Sequence, residues 1–142
     1  MKHHKAQVQD FMTGEPVVVA PSTPLAEAYN LMFDNEIRRL PVVEGDEVIG
    51  IVTLRDLERA APGRFDDDDI ETRLEVAART VREIMTYDPV TISPEDTVQE
   101  AAERMLEYQI SALPVVQDGH IVGIITESDI FKLIVDGWSE AD

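Results

Sequence analysis

Residues 8–60 and 81–133 align at a constant offset of 73 without a gap, and 18 of the 53 aligned pairs are identical. Both copies carry Met-Thr, Leu-Pro-Val-Val and Gly-Ile-(Val/Ile)-Thr-x-x-Asp, in the same order and at the same spacing. The identities run from Val8/Val81 and Met12/Met85 through Pro41/Pro114 and Gly50/Gly123 to Asp56/Asp129, and most other pairs exchange one apolar residue for another. The chain is therefore one folding unit written twice. A 53-residue half would bury too little surface to be comfortably stable alone, so the halves are expected to share one core within a single domain.

Each copy opens with a short amphipathic piece, Val8 to Thr13 or Val81 to Thr86, which reads as a helical turn. A β-branched run follows, Val17 to Val19 or Val90 to Ile92, and reads as a strand. Pro-Ser-Thr-Pro (21–24) and Pro-Glu-Asp-Thr (94–97) then start a helix, with Thr23 and Asp96 as N-caps and Pro24 at the first helical position. Its apolar stripe is Leu25, Ala28, Tyr29, Met32 and Phe33, matched by Val98, Ala101, Ala102, Met105 and Leu106. Two β-rich runs come next, Leu40 to Val43 and Val48 to Thr53, joined at Gly45-Asp46. In the second copy the joint is Asp118-Gly119. Gly in first place suits a type II′ turn and Asp-Gly a type I′ turn, so both joints are expected to be tight hairpins. The pattern turns helical again from Thr53 and Thr126, which makes each repeat β-α-β-β-α.

The stretch 61–80 reads as a linker. Pro62-Gly63 breaks the chain, Asp66 to Asp69 form a solvated acidic run, and Ile70, Leu74, Ala77, Ala78 and Val81 return to helical spacing as a connecting helix. Four consecutive Asp without a designed ligand spacing read as a repelled loop rather than a cation site, and the adjacent His3 and His4 carry little weight as metal ligands. No apolar run reaches the roughly 18 residues of a membrane span, and the polar start Met1-Lys-His-His-Lys does not resemble a signal peptide, so a cytoplasmic, membrane-free protein is expected. There is no cysteine, hence no disulfide or thiol chemistry. A net charge of −17 opposes nucleic acid over most of the surface and is compatible with either a high-salt habitat or an ordinary acidic protein. The few cations are unevenly placed: Arg38, Arg39, Arg55 and Arg59 crowd the second half of repeat 1, where repeat 2 has only Lys132.

Chemistry concentrates where the last strand meets the last helix, at Gly50 to Asp56 and Gly123 to Asp129. Thr-x-x-Asp there forms a capping box in its plain reading, the Thr hydroxyl taking one helix amide and the Asp carboxylate reaching back to another. A second use of the same geometry is recognition: amides and a hydroxyl beside a phosphate, and a carboxylate accepting both hydroxyls of a ribose. Gly50 and Gly123, inside strands, permit close approach of another backbone or of a flat ring, or simply packing. No Ser-His pairing or metal-ligand spacing is present and His120 lies at a hairpin edge, so an enzyme is not expected.

Together the repeat, the (Arg/Ala)-Leu-Pro-Val-Val strand, the hairpin and the Gly-Ile-(Val/Ile)-Thr-x-x-Asp ending resemble the cystathionine β-synthase (CBS) domain family. The resemblance spans both repeats. It implies an α+β fold in which two β-α-β-β-α repeats pack sheet to sheet about a pseudo-twofold axis, with clefts for adenosine-containing ligands such as AMP, ADP, ATP, S-adenosylmethionine or NAD. It also implies a homodimer. By that resemblance the Asp of the box holds the ribose, the Thr and the residue before the Asp face phosphates, and basic residues before Leu-Pro add charge. The adenine lies against the first strand and the backbone near the Pro.

Carried over, repeat 1 keeps Asp56 for ribose, Thr53 and Arg55 beside the phosphates, Arg38 and Arg39 ahead of Leu40-Pro41, and Val18 with Pro41 near the adenine. Repeat 2 keeps Asp129, Thr126 and Ser128, with Thr91 and Pro114 at the adenine positions, but has Ser111 and Ala112 where the arginines stood and Glu127 at the helix start. The expectation is a phosphate-bearing adenine nucleotide at Asp56, with an empty, weaker or less charged adenosyl site at Asp129. The module would sense nucleotide state and pass it to an unknown protein target or dimer interface. The alternatives are a dimerisation module with unused clefts and, more remotely, divalent-cation sensing; magnesium accompanying ATP is a milder form of the latter. Trp138 reads as packing on its own domain, with a partner dock as the alternative.

Overall fold

Two short β-branched, largely apolar runs joined by a two-residue turn make an antiparallel hairpin, and the computed structural model has one in each repeat. It describes residues 6–60 and 70–141. The Pro62-Gly63 break, the Asp66 to Asp69 run, and His3 and His4 lie outside the described residues. The fold is α+β, with two three-stranded antiparallel sheets, and the chain divides into two compact units.

The first unit is Val17–Asp88. Its sheet has the order β2 (Arg39–Glu44), β3 (Glu47–Thr53), β4 (Thr86–Tyr87), with α1 (Leu25–Asn35) and α2 (Leu54–Ala60) against it and α3 (Ile70–Ala78) packed on α1. The second unit comprises the described residues of Met1–Pro16 and Pro89–Asp142. Its sheet has the order β1 (Thr13–Gly14), β6 (His120–Thr126), β5 (Ala112–Gln117), with α4 (Val98–Tyr108) and α5 (Glu127–Ala141). Compact unit and sequence repeat are thus not the same residues. Each repeat sends its opening segment to the sheet built mainly by the other: β1 pairs with β6 through Thr13 opposite Ile124, and β4 pairs with β3 through Ile51 opposite Thr86. The single shared core expected from the sequence is replaced by two clusters, each holding residues of both repeats. Val8 belongs to the cluster of Ile92, Val98, Leu113, Val115 and Ile125, while Val81 and Met85 belong to that of Leu25, Met32, Leu40, Val42 and Val52.

Several local expectations are corrected. The opening pieces are helical turns as expected, single 3-10 turns at Val8–Asp10 and Val81–Glu83, but two-residue strands too short to leave a periodic signal follow them. The runs Val17 to Val19 and Val90 to Ile92 form no ladder: Val19 bridges Val42 and Ile92 bridges Val115, each in parallel, before a turn at Pro21 or Pro94 ends the run. Thr23 and Asp96 close those turns, accepting hydrogen bonds from the Ala20 amide at 3.0 Å and the Ser93 amide at 3.0 Å. The caps therefore fall one residue later, at Pro24 and at Thr97, whose hydroxyl accepts from the Glu100 amide at 3.1 Å. The amide that opens each helix is satisfied by an exchanged or connecting segment. Leu25 donates to the Arg79 carbonyl at 2.7 Å, and Val98 to the Ala6 carbonyl at 2.8 Å. Both hairpin turns have positive φ at both central residues, Gly45 (58°) and Asp46 (69°), Asp118 (53°) and Gly119 (82°). That is type I′ in each case, so the type II′ expectation at Gly45 gives way to the twist shared by both hairpins.

At the entrance to β4, the Thr80 amide donates to Glu83 at 2.7 Å, and this bond, helped by Arg79, holds the Glu83 carboxyl below the usual carboxylate value. On α1 and α4 only Leu25, Ala28 and Met32, and Val98, Ala101 and Met105, are buried. Tyr29, Phe33 and Leu106 face out, as do Ile70 and Leu74 of α3, because the sheets cover one side of each helix and the amphipathic pattern does not say how much of its stripe is covered. Trp138 is also corrected: it is 68% exposed on α5.

The glycines at the strand exchange are explained by packing. A Cβ on Gly50 would stand 2.6 Å from Met85 Sδ and 2.9 Å from the Thr86 carbonyl oxygen, and on Gly123 2.5 Å from Met12 Sδ and 2.8 Å from the Thr13 carbonyl oxygen. Gly50→Ala and Gly123→Ala are each expected to destabilise by about 1–3 kcal/mol. Gly14→Ala, which meets nothing within 4 Å, should stay within about 0.5 kcal/mol of the parent. Denaturant midpoints of the three variants measure this directly, and equal midpoints would contradict it.

Candidate functional site

In one unit β3 runs straight into α2 and in the other β6 runs straight into α5, and Thr-x-x-Asp is the joint in each. Asp56 donates its amide to Thr53 Oγ1 at 3.1 Å, and the Thr53 amide donates to Asp56 Oδ2 at 2.9 Å. In the second unit the Asp129 amide donates to Thr126 Oγ1 at 3.4 Å and the Thr126 amide to Asp129 Oδ2 at 2.8 Å. The capping box is real in both. It leaves capacity unused, since a carboxylate has about four acceptor positions. Among the described residues Asp56 Oδ1 accepts no hydrogen bond, and both carboxylates are only half-buried. The two boxes differ in one proton. Thr126 Oγ1 donates to Asp129 Oδ2 at 3.1 Å, whereas the Thr53 hydroxyl hydrogen has no acceptor among the described residues.

The backbone gathers the other expected residues around each box. The Leu54 amide, first in α2, donates to the Arg38 carbonyl at 2.7 Å, and Arg39 lies opposite Thr53 in the ladder. Arg55 immediately precedes Asp56; it and Arg38 are exposed and Arg39 is half-buried. Pro41 is fully buried opposite Ile51, and its carbonyl accepts from the Val19 amide at 3.0 Å, which sets Val18 beside it. The second unit repeats this frame. The Glu127 amide donates to the Ser111 carbonyl at 3.0 Å, Ala112 lies opposite Thr126, Ser128 precedes Asp129, and the Pro114 carbonyl accepts from the Ile92 amide at 3.1 Å, next to Thr91. Within each unit the seven expected residues therefore fall on three backbone segments joined to one another by hydrogen bonds.

One residue escaped the sequence reading. Arg104 of α4 donates from Nη1 to the Thr91 carbonyl at 2.7 Å and stands 3.9 Å from Asp96 Oδ2. Its counterpart in repeat 1 is Leu31, and the replacement of an apolar helix residue by a cation at a matched position was the available signal. Its charge is already engaged by local acceptors.

This chain belongs to the CBS domain family: the family's CBS domain model matches residues 8–63 and 81–136. It is 35% identical, over 92% of both chains, to a CBS domain-containing protein of Dictyostelium discoideum. It is 36% identical over 126 residues to an inosine-5′-monophosphate dehydrogenase of Korarchaeum cryptofilum, of which the match spans 24%. The chain thus covers about a quarter of the length of that enzyme, as it does of the homoserine O-acetyltransferases it also resembles. Among solved structures, the CBS domain pair of protein MJ0100, in complex with 5′-methylthioadenosine and S-adenosyl-L-methionine, is 28% identical with a TM-score of 0.78, covering 93% of this chain and 98% of that one. CBSX2 in complex with AMP is 27% identical with a TM-score of 0.76, covering 92% and 97%. No helix among the described residues is long and apolar enough to cross a membrane.

Replacing the box hydroxyl separates its structural part from any recognition. Thr53→Ala and Thr126→Ala should each destabilise by about 0.5–2 kcal/mol, as loss of an N-cap does. Chemical unfolding of each single variant checks this; a stability unchanged at both positions would mean that the boxes do not hold the strand-to-helix joints.

Proposed function

We propose that this chain is a non-catalytic regulatory module that binds adenosyl ligands at the two Thr-x-x-Asp joints. The observation that carries the reading is the half-buried Asp56, whose Oδ1 is left over from the capping box, with Thr53, Arg55, Arg38, Arg39, Pro41 and Val18 on backbone segments hydrogen-bonded to one another around it. Asp129 has the same frame. A carboxylate held by one oxygen can take a vicinal diol with the rest, and the flat backbone beside Val18 and Pro41, or Thr91 and Pro114, suits a purine. The ligands of the MJ0100 and CBSX2 structures, AMP, S-adenosyl-L-methionine and 5′-methylthioadenosine, share the adenosine that such a frame would recognise.

Binding regulates only if it distinguishes two states of the protein or its partner. Oligomerisation is one such readout, and a specific feature favours it: α5 leaves Phe131, Ile134, Val135 and Trp138 exposed at helical spacing, beside Leu106 of α4, which is 81% exposed. We assign this stripe to a homodimer. A dimerisation module with idle ligand sites would have the same stripe, so the two readings part on ligand response.

Thermal unfolding of the purified chain with AMP, ATP and S-adenosylmethionine distinguishes them. A ligand at one hundred times its dissociation constant should stabilise by about 2.7 kcal/mol, and the double variant Asp56→Asn with Asp129→Asn should lose that response while its ligand-free midpoint stays near the parent's. A response that survives the double variant overturns the site. Separately, sedimentation of Phe131→Glu with Trp138→Glu should give monomer from dimer with unchanged circular dichroism; a parent chain that sediments as a monomer overturns the dimer.

A further inference from the structure

The two boxes share a backbone frame but not a charge. Around Thr53, the positions contributed by the neighbouring strand and the helix start hold Arg38, Arg39, Leu54, Arg55 and Asp56, and two of these guanidiniums, Arg38 and Arg55, are exposed. Around Thr126 the matching positions hold Ser111, Ala112, Glu127, Ser128 and Asp129, two carboxylates and no cation. The next cation along each helix is matched, Arg59 in one and Lys132 in the other, so it does not alter the contrast. Arg104 of the second unit donates to the Thr91 carbonyl and stands 3.9 Å from Asp96, whose carboxylate offsets its charge. Hydrogen bonding points the same way: among the described residues the Thr53 hydroxyl has no acceptor, while that of Thr126 donates to Asp129.

Resting on the adenosyl reading above, we infer that the chain sorts its ligands by charge: the Asp56 site takes an adenosine phosphate, and the Asp129 site takes an adenosyl ligand without phosphate, neutral or cationic at the 5′ end. Arg38 and Arg55 supply charge-assisted hydrogen bonds to phosphate oxygens at the first site. Glu127, exposed at the first position of α5, repels a phosphate at the second and attracts a sulfonium or ammonium group. The two sites thus report on two different metabolite classes, so one chain would combine two signals.

Calorimetric titration of the full chain with ATP and with S-adenosylmethionine, singly and one after the other, tests this. Each ligand should bind at one site per chain, and saturating ATP should leave S-adenosylmethionine binding in place. Arg38→Ala with Arg55→Ala, both exposed and outside the capping boxes, should weaken ATP by about tenfold or more, as loss of charge-assisted hydrogen bonds does, and leave S-adenosylmethionine within about twofold. Glu127→Leu with Ser128→Arg should create a second ATP site. Mutual displacement of the two ligands, two equal ATP sites in the parent, or an arginine variant that weakens both ligands alike would overturn the sorting while leaving adenosyl binding intact. Failure of both ligands to bind would overturn the adenosyl reading and the sorting together.

Discussion

The reciprocal hydrogen bonds between Thr53 and Asp56, repeated between Thr126 and Asp129, fix where a strand stops and a helix begins. Everything nearby takes its position from that joint. The first helix amide is handed to the carbonyl of residue 38 or 111, which locks the start of β2 or β5 against the helix, and the Leu-Pro carbonyl then orders the run before α1 or α4. One four-residue motif thereby aligns a carboxylate, a hydroxyl, two residues of the neighbouring strand and the backbone beside it. Structure and recognition are not competing readings of this motif, because the box uses only part of the acceptor capacity of its carboxylate.

The parts of the fold legible in the sequence were those written in local periodicity. The α1 and α4 stripes, the hairpins at Gly45-Asp46 and Asp118-Gly119, and the box itself all follow from residues within a few positions of one another. The parts that were not legible depend on distant partners. Nothing around Thr13 says that it will lie opposite Ile124, and a two-residue strand is too short to display alternation. The outward turn of Tyr29, Phe33, Leu106 and Trp138 was hidden for a related reason: periodicity gives the apolar face of a helix, while the width of that face actually covered is set by what packs on it. At the site, the arginines and the box could be read directly, but the engagement of Arg104 by Thr91 required the helix to be seen against the strand.

Two identical frames with unlike charge give a duplicated protein room to diverge. The frame is maintained by backbone hydrogen bonds that tolerate many side chains, as the exchange of Arg38 and Arg39 for Ser111 and Ala112 illustrates. The side chains at those positions differ between the repeats while the backbone hydrogen bonds of the joint stay the same. Capping is therefore the shared, invariant part of the two sites, and electrostatics the adjustable part.

Each sheet is completed by a two-residue strand that belongs, along the chain, to the other repeat. A polypeptide carrying a single copy of the motif would lack its third strand and could obtain it only from a second molecule, making its folding a bimolecular event. Joining two copies head to tail replaces that encounter with a tethered one, at an effective concentration on the order of millimolar. Duplication in this lineage thus frees assembly of the sheets from dependence on how much protein the cell makes.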